Sequence, residues 1–225
     1  MKSETTEAIV LRRTNYGEAD RIVQLCTPLG RRTVMAKGVR KPKSKLAGGI
    51  ELLCKSQVVL RHGRGDIATL VQARMQGFYQ HILGDYDRLQ FAYEVMQLVN
   101  RAAETVDEPE WFTVLDSVLA ALDRPASNFA VVKTWFYLQY AKLLGEELSL
   151  WRDGAGEKIQ PATQYRYDVA SKSLVVDPHG TLGENHIKLL RVLQTQTLAT
   201  VQLVGGVQQY VVECANVALR HAAVR

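Results

Sequence analysis

The sequence predicts an α+β multidomain protein of two parts, a small N-terminal β-barrel followed by an α-helical domain. Short apolar runs separated by turn residues fill the first eighty positions, whereas apolar residues recur every three or four positions from about residue 78. Charge changes at the same place. Residues 1–80 hold 15 Lys and Arg against 6 Asp and Glu, and residues 81–225 hold 13 against 17. We therefore predict domains at 1–80 and 81–225.

Composition sets the broad class of the protein. The 225 residues are 47% apolar and 23% charged, which argues against a disordered or fibrous chain. No apolar run reaches the roughly 18 residues of a membrane span, and the N-terminus is too polar for a signal peptide. Cys26, Cys54 and Cys214 form no CxxC pair, so we expect buried, reduced thiols rather than a disulfide framework or a zinc ribbon. These features predict a cytoplasmic protein without a membrane partner.

Five strands are predicted in the basic part, most of them joined by short turns that contain glycine. They cover residues 8–12, 21–26, 32–36, 50–61 and 66–76. A closed five-stranded barrel of the OB type is the economical arrangement, because closing the sheet removes the exposed edges that an open sheet of this size would leave.

Three helices are predicted next. The first spans 86–105 with its start near Asp85, the second spans 110–122 after Pro109, and the third follows a cap at Ser127 and stops near Gly145. Apolar and aromatic residues form a broad stripe on the third helix, which is typical of a helix-bundle core rather than of a cofactor site.

The remaining chain alternates between irregular and helical patterns. Residues 146–180 are rich in glycine and proline and indicate a loop-rich insertion with a short hairpin of residues 165–169 and 173–176. Apolar spacing then predicts one helix that includes Ile187 to Leu198 and a last helix over 207–219.

The strongest functional signal is a dense basic segment, residues 31–45, that contains no acidic residue. Its cations are Arg31, Arg32, Lys37, Arg40, Lys41, Lys43 and Lys45. Gly38 and Pro42 make a regular strand or helix unfavourable beyond about Lys37, so we expect several of these cations on a loop. Such a loop can follow a phosphate backbone, and each neutralised phosphate releases condensed counterions, which gives affinity without sequence preference. Aromatic residues for stacking are few here, with Tyr16 the best placed.

Enzymatic chemistry is not expected. Glu18 and Asp20 beside Arg21 are typical of a turn-stabilising ion pair, and no histidine completes a metal site. The glycines of residues 63–66 indicate a hairpin turn rather than a phosphate cradle, because no Gly-Lys-Ser/Thr follows. The five histidines are dispersed and nucleophile motifs are missing. We expect no covalent chemistry, no cofactor and no metal.

Four motifs, in order along the chain, resemble the RecO family of bacterial recombination mediators. They are AIVLR at 8–12, YGEADRIV at 16–23, AKGVRKPKSKL at 36–46 and GRGD at 63–66. The likeness is close through about residue 125 and only general beyond it. It implies an N-terminal OB fold, a helical domain, and binding to single- and double-stranded DNA without a nucleotide cofactor.

The resemblance also implies partners and site residues. Members of this family anneal complementary strands and, with RecR, help to load RecA onto single strands covered by single-strand-binding protein, whose acidic C-terminal tail many of them contact. The matched basic motif carries Lys37, Arg40, Lys41, Lys43 and Lys45 over as DNA-contacting cations. Secondary candidates are Arg12, Arg13 and Arg64.

The sequence departs from the family in two places. Many relatives hold a four-cysteine zinc module in the helical domain, but residues 146–180 contain no cysteine here, so no zinc module is predicted. The usual basic C-terminal ending is reduced to Arg220 and Arg225. The site for the partner's acidic tail is left unassigned, with Lys133, Lys142, Lys188 and Arg191 as candidates from charge alone.

Recombinational repair by DNA binding and strand annealing is therefore the predicted function, in the cytoplasm and associated with the nucleoid. Two alternatives fit the same charge pattern. One is an RNA-binding barrel module, and the other is a protein-interaction scaffold whose basic loop binds acidic tails.

Overall fold

The computed structural model describes residues 3–63, 65 and 67–223. Two compact units make up the chain, Met1–Pro125 and Ala126–Arg225. The first contains five strands and two helices, and the second contains a two-stranded hairpin and four helices among the described residues. The α+β prediction is confirmed.

The strands of the N-terminal unit form a closed barrel. They are β1 (Ser3–Tyr16), β2 (Asp20–Thr27), β3 (Gly30–Ala36), β4 (Cys54–Arg61) and β5 (Ala68–Phe78). The order around the barrel is β1-β2-β3-β5-β4, and β4 pairs back onto β1. All pairs are antiparallel except β3 with β5, which pair in parallel over a short stretch. The predicted five-stranded arrangement of the OB type is confirmed.

Alternating side chains fill the barrel. Val23 and Leu25 of β2 and Val34 of β3 are fully buried, and they pack with Val58 and Leu60 of β4 in one apolar cluster. On β4, burial of every second residue leaves the intervening residues on the outer surface, whereas β1 buries four consecutive residues, 8–11.

Three predicted strands have clearly different bounds in the structure, and the first of them, predicted over 8–12, extends over Ser3–Tyr16. Residues 50–53 are not part of β4, because a 3-10 turn at Ala47–Ile50 and a positive φ of 59° at Leu53 interrupt the extended backbone. Burial of Ile50 and Leu53 explains the error, since both are apolar core residues of a turn. The fifth strand begins at Ala68 and continues to Phe78, whereas its predicted first residue, 66, lies outside the described residues.

Helices α1 (Tyr86–Ala102) and α2 (Glu110–Leu122) belong to the same compact unit as the barrel. The predicted start near Asp85 is confirmed, since Asp85 caps α1 by accepting a hydrogen bond from the Arg88 amide, but the helix ends at Ala102 rather than at 105. α1 contacts β1, and α2 contacts β1, β2 and β3. The change from strand to helix thus lies near residue 80, whereas the compact units divide after Pro125 because both helices pack on the barrel.

Helix α3 (Phe129–Leu143) begins the C-terminal unit. Its N-cap is Asn128, whose side chain accepts from the Val131 amide, so the prediction of a cap at Ser127 was wrong by one residue. Val132 and Phe136 are fully buried, which confirms that the stripe on this helix is core. The chain leaves the helix at Gly145, whose φ of +80° favours glycine.

The rest of this unit is a hairpin and three helices. The hairpin of β6 (Tyr165–Asp168) and β7 (Ser173–Val176) confirms the prediction, and α6 (Gln208–His221) matches the predicted last helix. The prediction of one helix through Leu198 was wrong. α4 (Glu184–Thr195) ends before an extended Gln196, and Thr197 caps a separate short helix α5 (Leu198–Val201).

Hydrogen bonds and side-chain packing hold the cysteine-free segment 146–182 in place. Tyr165 exchanges backbone hydrogen bonds with Leu182, and Arg191 donates to the Leu150 carbonyl through two nitrogens. His221 lies between the Tyr167 hydroxyl and the Glu146 carbonyl, at 3.0 and 2.7 Å. In the part of the chain that the structure describes, no helix is both long and apolar enough to cross a membrane.

Candidate nucleic-acid interface

The outer surface of β1, β2 and β3 presents cross-strand rows of polar and exposed side chains. Because Val23, Leu25 and Val34 point into the barrel, the residues between them lie on the outside. Strand register then aligns neighbours across the surface. The rows are Arg12, Gln24 and Thr33, then Thr14, Ile22 and Met35, then Tyr16 with Asp20. We call these residues the outer face.

The predicted basic loop follows β3 directly. Residues 37–46, here named the basic loop, contain no helix or strand and consist of successive turns. The Lys41 amide donates to the Gly38 carbonyl, and the Ser44 amide donates to the Lys41 carbonyl. Val39 is buried in the barrel core and Leu46 packs against it, so both ends of the loop are fixed to the barrel.

Asp20 links the basic loop to the β1–β2 turn. Its Oδ1 accepts a hydrogen bond of 2.6 Å from the Gly38 amide, where φ is +64°. On the other side, Arg40 donates its amide to the Ala19 carbonyl and a guanidinium N–H to the Gly17 carbonyl. These bonds bring the basic loop beside Tyr16 at the end of the outer face. The sequence pattern predicted Asp20 as an ion-pair residue, and the structure shows it instead as an acceptor for a loop amide.

Five predicted cations are brought together on this loop. Lys37, Arg40, Lys41, Lys43 and Lys45 are all exposed. Among the described residues, none of the four lysines has an ion-pair partner within 4 Å. Four unpaired ammonium groups on one loop repel one another, and a polyanion relieves that repulsion. That these residues contact DNA stays a prediction.

Arg31 and Arg32 lie on β3, outside the basic loop, and both are held by hydrogen bonds and ion pairs to other residues of the chain. Arg31 donates Nε to Asn100 Oδ1 at 3.1 Å and Nη2 to Glu104 Oε1 at 2.8 Å, while its backbone amide donates to Asp107 at 2.6 Å. Arg32 lies 3.8 Å from Glu4 and donates to the Arg31 carbonyl.

The secondary candidates differ in their surroundings. Arg12 is exposed on the outer face, and Tyr16 is 55% exposed four residues further along β1. Arg13 is partly buried and paired with Glu51 at 2.6 Å. Arg64 lies outside the described residues.

Two acidic residues, Asp116 of α2 and Asp123 just after it, contact residues of β4 and of the segment after β5. Asp116 accepts from Lys55 at 3.0 Å and from the Tyr79 hydroxyl, and burial together with this bond raises the pKa of Tyr79. Asp123 accepts from the His81 amide. No local pattern could reveal these pairs, because their members are 37 to 61 residues apart.

The cysteines are poor nucleophiles and metal ligands as placed. All three are buried and free, as predicted. Burial raises the pKa of Cys26 and of Cys214 to about 12, so their thiolates are scarce at neutral pH.

Each candidate cation of the C-terminal unit contacts an acidic or an aromatic side chain. Lys142 lies 3.7 Å from Glu147, and Lys188 lies 2.7 Å from Glu184 one helical turn away. Lys133 sits above the Phe129 ring, and the Arg191 guanidinium stacks 3.9 Å from the Trp151 ring centre. The location of a site for an acidic tail stays a prediction.

Comparison with protein families covers both parts of the chain. The family model described as Recombination protein O N terminal matches residues 1–79, which hold the outer face and the basic loop. The model described as Recombination protein O C terminal matches residues 83–214. The chain belongs to the RecO family. The resemblance found in the sequence motifs is therefore confirmed.

Individual relatives in the RecO family agree with this assignment. A DNA repair protein RecO of Roseiflexus sp. (strain RS-1) is 33% identical over 201 residues, which are 86% of this chain and 70% of the relative. One from Dehalococcoides mccartyi (strain ATCC BAA-2266 / KCTC 15142 / 195) is 31% identical over 205 residues, which are 87% and 80% of the two chains. Both of these RecO-family relatives are named as DNA repair proteins.

Proposed function

We propose that this RecO-family protein binds single- and double-stranded DNA through the basic loop and the outer face, and that it anneals complementary strands in recombinational repair. The observation that carries the proposal is the cluster of exposed, unpaired cations that Val39, Leu46 and Asp20 hold beside the outer face. The protein performs no covalent chemistry in this proposal and acts in the cytoplasm in association with the nucleoid.

Annealing follows from charge neutralisation. Two complementary strands repel each other through their phosphates, and lysines on a loop lower that repulsion without blocking base edges. Exposed Tyr16 beside the loop offers one flat surface for a base, while the half-buried Ile22 and Met35 provide an apolar centre to the outer face.

The proposed partners come from the family. We propose that the protein works with RecR, contacts the acidic C-terminal tail of single-strand-binding protein, and thereby helps to load RecA onto covered single strands. The named relatives support a place in DNA repair, and the basic surface described here is consistent with a mediator that must hold a strand while another protein is loaded.

The test is a salt titration of binding to a fluorescent single-stranded oligonucleotide, followed by anisotropy. Five phosphates engaged by the basic loop contribute about −3.5 to the log–log slope, from about −0.7 per phosphate. Replacing Lys41, Lys43 and Lys45 with Ala leaves two loop cations and makes the slope shallower by about 2.1, the value for three phosphates. Binding weakens about equally for all sequences, and strand annealing slows with it.

A charge-matched control replaces Lys142, Lys158 and Lys188, which are exposed on the C-terminal unit, with Ala. This control keeps the steep slope. Annealing that survives the loop variant unchanged contradicts the mechanism. Preference for RNA over DNA in competition favours the RNA-binding alternative, and tight binding of acidic peptides with poor oligonucleotide binding favours the scaffold.

A further inference from the structure

A groove of about 600 Å³ lies between β1 and α1 in the barrel unit. Its barrel wall is formed by Leu11, Arg12, Arg13 and Leu52. Its helical wall is formed by Tyr93, Met96, Gln97, Asn100, Arg101 and Glu104. We call it the β1–α1 groove. Its volume falls in the range of about 300–1,000 Å³ that is typical of small-molecule sites.

The helical wall is one continuous face of α1. Tyr93, Met96, Gln97 and Asn100 recur at steps of three and one, so their side chains lie along the same stripe of the helix. Met96 is buried and Tyr93 is partly exposed, which gives the groove an apolar floor with an aromatic ring at its surface. This floor suits a flat apolar group.

The polar atoms available in the groove are mostly donors. Arg12 and Arg101 are exposed and have no ion-pair partner among the described residues. Asn100 uses its Oδ1 to accept from Arg31, which leaves its amide N–H groups as donors, and Glu104 is engaged by the same arginine. A groove with two free guanidinium groups and a depleted set of acceptors selects an anionic ligand.

Strand β1 connects the groove to the basic loop. Arg12, Thr14 and Tyr16 share the outer face, and Arg12 also lines the groove. Arg12 and Tyr16 are four residue steps apart on the extended strand, a span of about 13 Å. Because Arg40 of the basic loop bonds to Gly17, the cations of the loop, Tyr16 and the groove form one continuous path along β1.

We propose that the β1–α1 groove binds one or two nucleotides of the single strand whose neighbouring phosphates lie on the basic loop. Arg12 and Arg101 contact phosphates, and the Tyr93 ring packs against a base. The inference rests on the proposed DNA binding and extends it by a second contact point. A nucleic acid is favoured over an acidic peptide because the groove continues the path of the basic loop.

The first test compares two double variants in the full chain. Replacing Arg12 and Arg101 with Ala weakens binding of a long single-stranded oligonucleotide about tenfold and makes the salt slope shallower by about 1.4, the value for two phosphates. The matched control replaces Arg74 and Arg124, which are exposed in the same unit and line no part of the groove, and it leaves both quantities unchanged. Tyr93→Leu keeps the apolar bulk and weakens binding about five- to tenfold through loss of ring stacking.

The second test locates the strand directly. Gln97→Cys places an exposed thiol in the groove, whereas the three native cysteines are buried. An oligonucleotide carrying a disulfide-activated base forms a crosslink to the introduced thiol in this variant. The control Gln72→Cys, exposed on β5 away from the groove, does not crosslink.

The outcomes separate this inference from the proposed function. If the Arg12 and Arg101 variant binds normally while the lysine-loop variant loses binding, the groove is not a nucleotide site and Arg12 of the outer face is not a contact, but DNA binding through the basic loop stands. If the unaltered protein binds no oligonucleotide, both fail together. If a polyglutamate peptide protects the thiol of the Gln97→Cys variant from maleimide and an oligonucleotide does not, the groove is a peptide site and the inference is overturned.

Discussion

The basic loop and the C-terminal unit differ in the ion pairing of their lysines. Lys41, Lys43 and Lys45 of the basic loop have no acidic partner within 4 Å among the described residues, whereas Lys172 and Lys188 of the C-terminal unit each pair with a glutamate. Exposed ion pairs of the second kind contribute little to stability, but they cancel the charge that a polyanion would bind. The difference indicates that net charge alone is a weak guide to a binding surface, and that unpaired charge is the useful quantity.

A similar contrast exists within the barrel unit. Residues 81–125 carry nine Asp and Glu against three Arg, and they pack on a barrel whose own sequence is strongly basic. Glu104 and Asp107 engage Arg31, and Asp116 engages Lys55. Glu104, after α1, and Asp116 of α2 therefore neutralise two cations on one side of the barrel, whereas the lysines of the basic loop and Arg12 have no acidic partner within 4 Å among the described residues.

Core substitutions in the two units give the largest expected effect and test whether DNA binding belongs to the barrel alone. Leu25 and Leu190 are both fully buried, one in each unit. Either change to Ala removes similar apolar packing and lowers the free energy of unfolding of its own unit by about 2–5 kcal/mol. Hydrogen exchange read by mass spectrometry assigns the loss to a unit.

DNA binding is expected to separate the two variants. The Leu25→Ala variant is expected to lose oligonucleotide binding as its barrel unit unfolds. The Leu190→Ala variant is expected to keep oligonucleotide binding under all conditions in which its barrel unit stays folded. The comparison fails if Leu190→Ala weakens binding while exchange in the barrel remains native.

Alanine substitutions at the adjacent glycines Gly48 and Gly49 are expected to have a smaller effect on the free energy of unfolding. A Cβ on Gly49 would lie 2.5 Å from the Ala73 backbone, so Gly49→Ala forces the turn that follows the basic loop away from β5. We expect a loss of about 1–3 kcal/mol in the free energy of unfolding. Gly48 has open space around it, and Gly48→Ala is expected to be neutral or stabilising by up to about 1 kcal/mol. Urea denaturation of both variants checks this, and equal midpoints would contradict the close packing at Gly49.

The smallest predicted effect is a pH dependence confined to the C-terminal unit. Burial lowers the pKa of His221 below its ordinary 6.5. The neutral ring can donate from Nε2 to the Glu146 carbonyl and accept at Nδ1 from the Tyr167 hydroxyl. Below pH 6.5 His221 of the unfolded chain is protonated, whereas His221 of the folded unit stays neutral because its pKa is lower. The free energy of unfolding is therefore highest above pH 6.5 and falls as the pH drops toward the lowered pKa of the folded unit.

Tryptophan fluorescence can follow that unit by itself. In a Trp111→Phe variant the remaining tryptophans, Trp135 and Trp151, both report on the C-terminal unit. Its melting temperature should fall between about pH 7 and pH 5, and His221→Gln should flatten the dependence. Burial lowers the pKa of His186 in the same direction, so a residual slope in the variant is expected. If His221→Gln leaves the dependence of the melting temperature on pH unchanged, groups other than His221 cause that dependence.

Local chemistry made most of the secondary structure predictable. The bounds of α2, the cap at Asp85, the stop at Gly145 and the 165–176 hairpin follow from capping residues, glycine and alternation over a few positions. Secondary-structure predictions were wrong where a buried apolar residue lies in a turn or in a short separate helix. Ile50 and Leu198 both lie outside the element that their apolar pattern predicted, because burial requires an apolar side chain whatever the backbone conformation.

The sequence alone predicted the barrel strands and the helices from the spacing of apolar residues. It also predicted the position of the basic loop, because a dense run of like charges and helix-breaking residues are local properties of the chain. Which cations are available for a ligand depends on the folded chain. Arg31 is as basic as Lys41 in the sequence, yet the fold places three acceptors around Arg31 and no acidic partner beside Lys41 within the described chain. Those acceptors come from α1 and the turn after it, 69 to 76 residues away, and only long-range packing could bring them there.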